Sequence, residues 1–397
     1  MARWLLLAIP FLLLAGVLNF VRPVDPVAAT QTVTELTRVP GQAPALPWPA
    51  GEAAVAVAGI GVVGSHGDGS ALPMASIAKV VTALVIMADH PLTPTDSGPT
   101  VTVTPADVAD YQVEASGGQS VVPVEAGESL NERELLDGML VPSANDYADI
   151  LARWDAGTVG AFVTKMNGFA ARLGMTKSHF ADPSGFSAST VGTPTDLILA
   201  GQALLADPTL TQVASQEQVE LPLAATSINV DYALGSQGIV GIKTGSSPAA
   251  GACFLFAGRE RIPGLPVTVV GVVMDLPTLA DAFDASEKLI AAVVSGLKLV
   301  PAIASAQAVA EYRAPWGSRT GLVAQSDIIL PGWPGMILHR RVKAPAVTPP
   351  LTDGEAAGSV SAWIGSGQPQ TATLVTDGPL FEPGGFWRLT RPFGNTG

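Results

Sequence analysis

The stretch Pro73-Met74-Ala75-Ser76-Ile77-Ala78-Lys79-Val80-Val81-Thr82-Ala83-Leu84-Val85-Ile86-Met87-Ala88 has helical length and is closed by Pro91. It is apolar nearly all round, the pattern of a helix buried on every face. Ser76 and Lys79 stand three residues apart, so on a helix they are neighbours and the lysine amine can reach the serine hydroxyl. A buried ammonium is costly unless paired, and desolvation lowers a lysine pKa toward neutrality, which turns the lysine into a base for the serine. The serine also sits by the helix N-terminus, where free N–H groups and the helix dipole can stabilise an oxyanion. Ser-x-x-Lys is common on its own, and Ser295-Gly296-Leu297-Lys298 is a second copy. That copy ends an amphipathic helix, where a lysine is an ordinary solvated C-terminal charge.

Two further motifs give the first its meaning. Ser143-Ala144-Asn145 falls between two helical stretches, Leu130 to Leu140 and Ala144 to Trp154. Ser-x-Asn alone is weak, since Ser129-Leu130-Asn131 and Ser227-Ile228-Asn229 also match, and Ser143 after Pro142 can serve as a plain helix N-cap. Lys243-Thr244-Gly245 occurs once, at the end of a stretch read as a strand, Ile239 to Thr244. Only one choice puts Ser-x-x-Lys on a buried helix, Ser-x-Asn on an interhelical loop and Lys-Thr-Gly on a strand, in that order. The gaps are 67 residues from Ser76 to Ser143 and 100 from Ser143 to Lys243.

With these three motifs the chain resembles the low-molecular-mass penicillin-binding proteins, the serine-type D-alanyl-D-alanine carboxypeptidases. Gly118-Gln119-Ser120, Glu134 to Leu140, Met166-Asn167, Phe180 to Phe186, Ala250 to Cys253 and Ser286 to Leu289 resemble the family's text as well, so the likeness covers about 51–298. The resemblance implies an α/β (α+β) DD-peptidase/β-lactamase-like domain, an antiparallel sheet with a helical block. It implies Ser76 as the acylated nucleophile, Lys79 as its base and Ser143 as the relay to the leaving amine. Asn145 would bind the substrate peptide, Lys243 would orient Ser143, and Thr244 would bind the terminal carboxylate. Gly245 and Ser246 continue the substrate-binding strand, with the oxyanion held by the backbone N–H groups of Ser76 and Ser246. Peptidoglycan stem peptides would be substrates and β-lactams covalent inhibitors, with no cofactor. Two departures stand out: Ser246 replaces a larger residue, and Leu276 to Ala282 lacks the arginine that relatives carry for the terminal carboxylate. Between Asp155 and Gln216 there is no glutamate, against a class A β-lactamase, which needs one for deacylation. A non-catalytic wall-binding or penicillin-sensing module is the alternative from another class.

The remaining chain sets the context. Its 397 residues are 48% hydrophobic and 14% charged, which excludes wholesale disorder. Lys+Arg 21 against Asp+Glu 34 gives a charge of −13, ill suited to nucleic acid. A single cysteine, Cys253, and four scattered histidines leave no metal site to build. Trp4 to Val21 is uncharged with only Asn19 polar, after Arg3. That is the length of a membrane anchor or a signal segment (1–21), and either implies export. If retained, it holds the protein to the outer face of the cytoplasmic membrane; if cleaved, the protein is secreted. Residues 22–50 read as a Pro/Ala-rich tether, 51–298 as the peptidase domain, and 299–397 as a small all-β domain with no terminal amphipathic helix.

Overall fold

The computed structural model describes residues 14–391, so the Trp4–Val21 segment lies outside them as far as residue 13. The chain divides into two compact units, Gln42–Lys298 and a second unit that joins residues up to Gly41 with those from Leu299.

The first unit is built on one antiparallel sheet. Glu52–Val57 (β1) and Gly61–His66 (β2) form a hairpin, and Ile239–Ser247 (β3), Gly251–Ile262 (β4) and Leu265–Leu276 (β5) complete the order β3-β4-β5-β1-β2. Chain-distant strands therefore share one sheet, and β3 is left as an edge. The helical block begins with a one-turn 3-10 helix, Ala75–Ile77, that leads into Ala78–Asp89 (α1). Ser76 thus precedes the α-helix rather than lying on it, a correction to the single helix expected from Pro73. Pro105–Ser116 (α2) packs on the helix Asn145–Ala156 (α4), which with Glu132–Leu140 (α3), Val159–Leu173 (α5) and Pro194–Ala206 (α6) surrounds α1, and Leu279–Gly296 (α7) covers the sheet. Thr104, Asn131, Thr158, Thr193 and Thr278 each accept from a backbone N–H as N-caps, which fixes where these helices start. From Ala78 to Met87 every residue of α1 is buried, as its apolar sequence requires.

The second unit corrects the tether. Ala29–Gln31 and Leu36–Arg38 are strands, and they occupy the two opposite edges of a seven-stranded antiparallel sheet. Laid flat, seven strands would separate those edges by about 29 Å at roughly 4.8 Å per step. The link from Gln31 to Leu36 spans at most about 19 Å. The sheet must therefore curl until its edges meet. Contacts agree: Gln31 Oε1 accepts from the Val342 N–H at 3.1 Å, and Val27, just before the first edge strand, exchanges backbone hydrogen bonds with Val347 at 2.8 and 3.0 Å. Three-residue edge strands carry too little periodicity to be seen in the sequence, and their partners lie some hundreds of residues away. A short helix, Gly385–Thr390 (α8), closes the described chain where none was expected.

Among the buried polar groups, Glu132 at the start of α3 is inaccessible to solvent, and both of its carboxyl oxygens lack a partner among the described residues. Burial raises its pKa to about 7. The folded chain therefore holds this proton more tightly than the unfolded chain. Its stabilising contribution is complete below the ordinary carboxyl pKa of 4.5 and is lost as pH rises through about 7. Glu132→Gln keeps the volume and removes the titration. Its melting temperature should gain on the parent between pH 5 and pH 8.5, a difference that scanning calorimetry at the two pH values measures.

Candidate active site

Lys79 leaves the first turn of α1 with no exposed surface, and its Nζ lies 2.8 Å from Ser76 Oγ and 2.5 Å from Asn145 Oδ1. Burial pulls its pKa down from 10.5 to about 7. Opposing that fall are the negative charges of Asp182, then Glu114, Asp149 and Asp146. A fully desolvated ammonium with no carboxylate in direct contact is poised to give up its proton near neutrality. Ser76 itself is partly accessible at the floor of a cleft of about 320 Å³.

The turn that carries Ser76 is clamped from two sides. Ala75 adopts φ +46°, a left-handed conformation that an L side chain rarely takes, and persists only where surroundings enforce it. Gly185 (φ +80°) lies so close that an added Cβ would fall 1.8 Å from the Ala75 carbonyl oxygen. On the other side a Cβ on Gly245 would meet the Ser76 nitrogen and the Met74 carbonyl at 3.0 Å. This is the physical reason for glycine after Lys243-Thr244: the edge strand β3 must press its backbone onto the nucleophile turn. The Gly185 loop is itself braced. Asp182 accepts from Ser184 Oγ and the Phe186 N–H at 2.8 Å and from Thr190 Oγ1, while Thr82 of α1 donates to the Pro183 carbonyl at 2.6 Å.

The second motif arrives on the loop before α4. Ser143 is buried and takes φ +70°, a second strained residue beside the site. Asn145 begins α4, donates from its backbone N–H to the Ser120 carbonyl at 2.8 Å, and donates from Nδ2 to Gln119 Oε1 at 2.5 Å. Its amide therefore joins Lys79 to the glycine-rich lip Gly117-Gly118-Gln119. On β3, Lys243 and Thr244 are both buried. The Lys243 pKa is driven well below its usual value, first by burial and then by Lys79, with Asp231 opposing. Ser246 is exposed and, with Ser247, lines the cleft opposite the lip.

Ser76, Lys79, Asn145, Gly245 and Ser246 are thus brought together around one cleft, with Ser143 two residues from Asn145 and Lys243 within electrostatic reach of Lys79. The competing matches go elsewhere. Asn131 caps α3 by accepting from the Glu134 N–H at 2.9 Å, and Lys298 is exposed at the start of a strand. Cys253 faces Gly245 across the β3–β4 pair but is buried, with its thiol pushed up to about 11 by desolvation, so it is no nucleophile at neutral pH. The cleft lining includes no arginine among the described residues. Sequence reasoning gave no part to the carboxyls behind Lys79. Glu114 at the end of α2 hydrogen-bonds Asp149 of α4, a contact between two carboxyls that needs a shared proton; burial raises both, and also Asp146. The spacing of Asn145, Asp146 and Asp149 on one helix turn was the available signal.

A partly exposed serine on a buried lysine, beneath an edge strand, defines a serine-lysine acyl-transfer hydrolase. The chain belongs to the D-alanyl-D-alanine carboxypeptidase family, whose model matches residues 58–278. A D-alanyl-D-alanine carboxypeptidase of Mycobacterium tuberculosis is 34% identical over 203 residues, 49% of this chain and 65% of that protein. A D-alanyl-D-alanine endopeptidase of Escherichia coli is 29% identical over 266 residues, 64% of this chain and 80% of its own. The fold matches penicillin-binding protein 5 of Haemophilus influenzae with a TM-score of 0.62 at 18% identity, over 86% of this chain and all of that one.

Two outcomes test this geometry. Below pH 7 Lys79 takes up its proton and ceases to be a base, so acylation by benzylpenicillin should fall by about tenfold per pH unit on the acid side. Stopped-flow acylation rates between pH 5 and 8 read that limb, and Lys79→Arg should lose on the order of 10²–10⁴ in rate at every pH. Gly185→Ala should displace Ala75 and slow acylation by on the order of 10²-fold, measured at a temperature where a melting curve shows the variant still folded.

Proposed function

We propose that the chain is an exported serine-type D-alanyl-D-alanine carboxypeptidase that trims peptidoglycan stem peptides. The observation that carries this reading is Lys79 Nζ, fully buried and brought to about 7, at 2.8 Å from the Ser76 hydroxyl at the cleft floor. Ser76 Oγ attacks the carbonyl carbon of the D-Ala-D-Ala amide as its proton passes to Lys79. The oxyanion so formed is met by the backbone N–H groups of Ser76 and Ser246. Lys79 returns the proton by way of Ser143 to the leaving nitrogen, the C–N bond breaks, and D-Ala departs. Water then attacks the ester, again losing its proton toward Lys79, and Ser76 is regenerated as the shortened peptide leaves.

The substrate strand lies along β3, whose unpaired edge offers backbone hydrogen bonds. Asn145 binds the peptide backbone and Thr244 the terminal carboxylate, with Lys243 orienting Ser143. β-Lactams enter the same path and stop at the acyl-enzyme. Trp4–Val21 is retained and holds the protein at the outer face of the cytoplasmic membrane. No helix among the described residues is long and apolar enough to cross a membrane, and the segment lies only in part within them.

Incubation with benzylpenicillin should give a long-lived mass adduct of one penicillin per chain. Ser76→Ala should abolish both the adduct and D-Ala release from a D-Ala-D-Ala tripeptide. An adduct that turns over as penicillin is consumed would make the chain a β-lactamase, and no adduct would overturn the catalytic reading.

A further inference from the structure

The lip on one side of the cleft is the end of α2. Past Ser116 the chain folds back onto the last turn of that helix. The Gly117 N–H donates to the Val113 carbonyl at 3.0 Å, the Gly118 N–H to Ala115 at 3.1 Å and the Gln119 N–H to Glu114 at 3.0 Å. Gly118 takes φ +70° with open space where a Cβ would stand. The lip is therefore placed from its two ends. One is α2; the other is Asn145, which bonds Gln119 Oε1 at 2.5 Å and the Ser120 carbonyl at 2.8 Å. The same Asn145 accepts from Lys79 Nζ, so a shift of α2 is passed through one amide to the base.

Glu114 fastens that end of α2. It meets Asp149, which follows Asn145 by four residues and so lies on the same face of α4, one turn along. Two carboxyls in hydrogen-bond contact need a proton between them, and with both ionised the contact becomes a repulsion. Glu114 Oε2 is buried and meets no donor among the described residues. The surroundings keep the proton in place. Burial raises the Glu114 pKa first, then the charges of Asp149 and Asp146, with Lys79 of α1 opposing. Asp149 is raised by burial and also faces Asp182 of the Gly185 loop and Asp110 of α2. Arg153 of α4, Arg133 of α3 and Lys165 of α5 are each paired with another carboxylate: Asp107 at 2.8 Å, Asp137 at 3.0 Å and Asp155 at 2.7 Å.

We propose that Glu114 is a positioning residue for acyl transfer: sharing one proton with Asp149, it pins the end of α2 to α4 and holds Gln119 against Asn145, and loss of that proton frees the lip. The neutral pair serves the base a second time. Burial lowers the Lys79 pKa, and after Asp182 it is Glu114 and Asp149 that most oppose the fall. A pair ionised at working pH would return Lys79 toward the ammonium. Glu114 touches no reacting atom and acts through Gln119 and Asn145. This rests on the reading that Ser76 is acylated with Lys79 as its base.

The test is the alkaline side of the acylation profile, followed by stopped flow with benzylpenicillin on the full chain from pH 7 to pH 10. The parent should lose rate by about tenfold per pH unit once the pair ionises. Glu114→Gln keeps a hydrogen bond to Asp149 and cannot ionise, so its rate should stay level over that range. Glu114→Ala keeps neither and should be slower by on the order of tenfold at every pH, at a temperature where a melting curve shows it folded. A parent with no alkaline limb overturns the proposal, as does a limb that Glu114→Gln leaves unchanged, which would belong to another group such as Lys243. Glu114→Gln as slow as Glu114→Ala at pH 7, or Glu114→Ala with the parent's profile, overturns it too. A parent that takes up no penicillin at any pH overturns the acyl-transfer reading itself, and this role with it.

Discussion

Taking one ammonium out of water is the constraint around which the first unit is organised. Lys79 projects from a helix with no solvated face, and its charge is opposed by burial more strongly than it is rewarded by any neighbour. A carboxylate in contact would restore the ordinary lysine pKa and end its usefulness as a base; a fully apolar cavity would push it below any working pH. The protein settles between those limits. Its direct partners are neutral, Ser76 and Asn145, while the acidic groups stand one layer back, and two of them share a hydrogen bond that needs a proton. Backbone strain at Ala75 and Ser143 belongs to the same arrangement, because the serines flanking the lysine must be aimed rather than merely present.

Much of this was legible in the chain, and the reason is physical. Ser76, Lys79, Ser143, Asn145 and Lys243 sit on or beside elements with strong local signals: an apolar run of helical length, a Pro-Ser break between two helical stretches, and a strand bounded by a Gly-Ser turn, although the helix after that break is capped by Ala144 without a side-chain bond and not by Ser143. The helices from Glu132 and Asn145 begin within two residues of where their patterns place them, at Leu130 and Ala144. What escaped lacks local signal. Glu114 reads as one acid on a helix with little apolar periodicity, and only the packing of Pro105–Ser116 against the helix from Asn145 gives it a neighbour. Gly185 reads as a loop glycine until its contact with Ala75 shows that no side chain would fit. Ala29–Gln31 and Leu36–Arg38 are strands only because the sheet needs edges closed, a demand posed by residues beyond Leu299.

That last arrangement has a consequence for the order in which the protein can be made. The closing strands of the curled sheet are synthesised first and their partners last, with the whole peptidase unit between them. As the chain emerges, residues 29–38 have nothing to pair with until more than two hundred further residues have followed. Loop closure over such a length is entropically slow unless the intervening chain has already collapsed into a compact body. The peptidase unit, whose two ends both return to the same partner, is that body. Its early folding shortens the effective loop, so the hydrolase acts as a scaffold for the domain that encloses its own beginning and end.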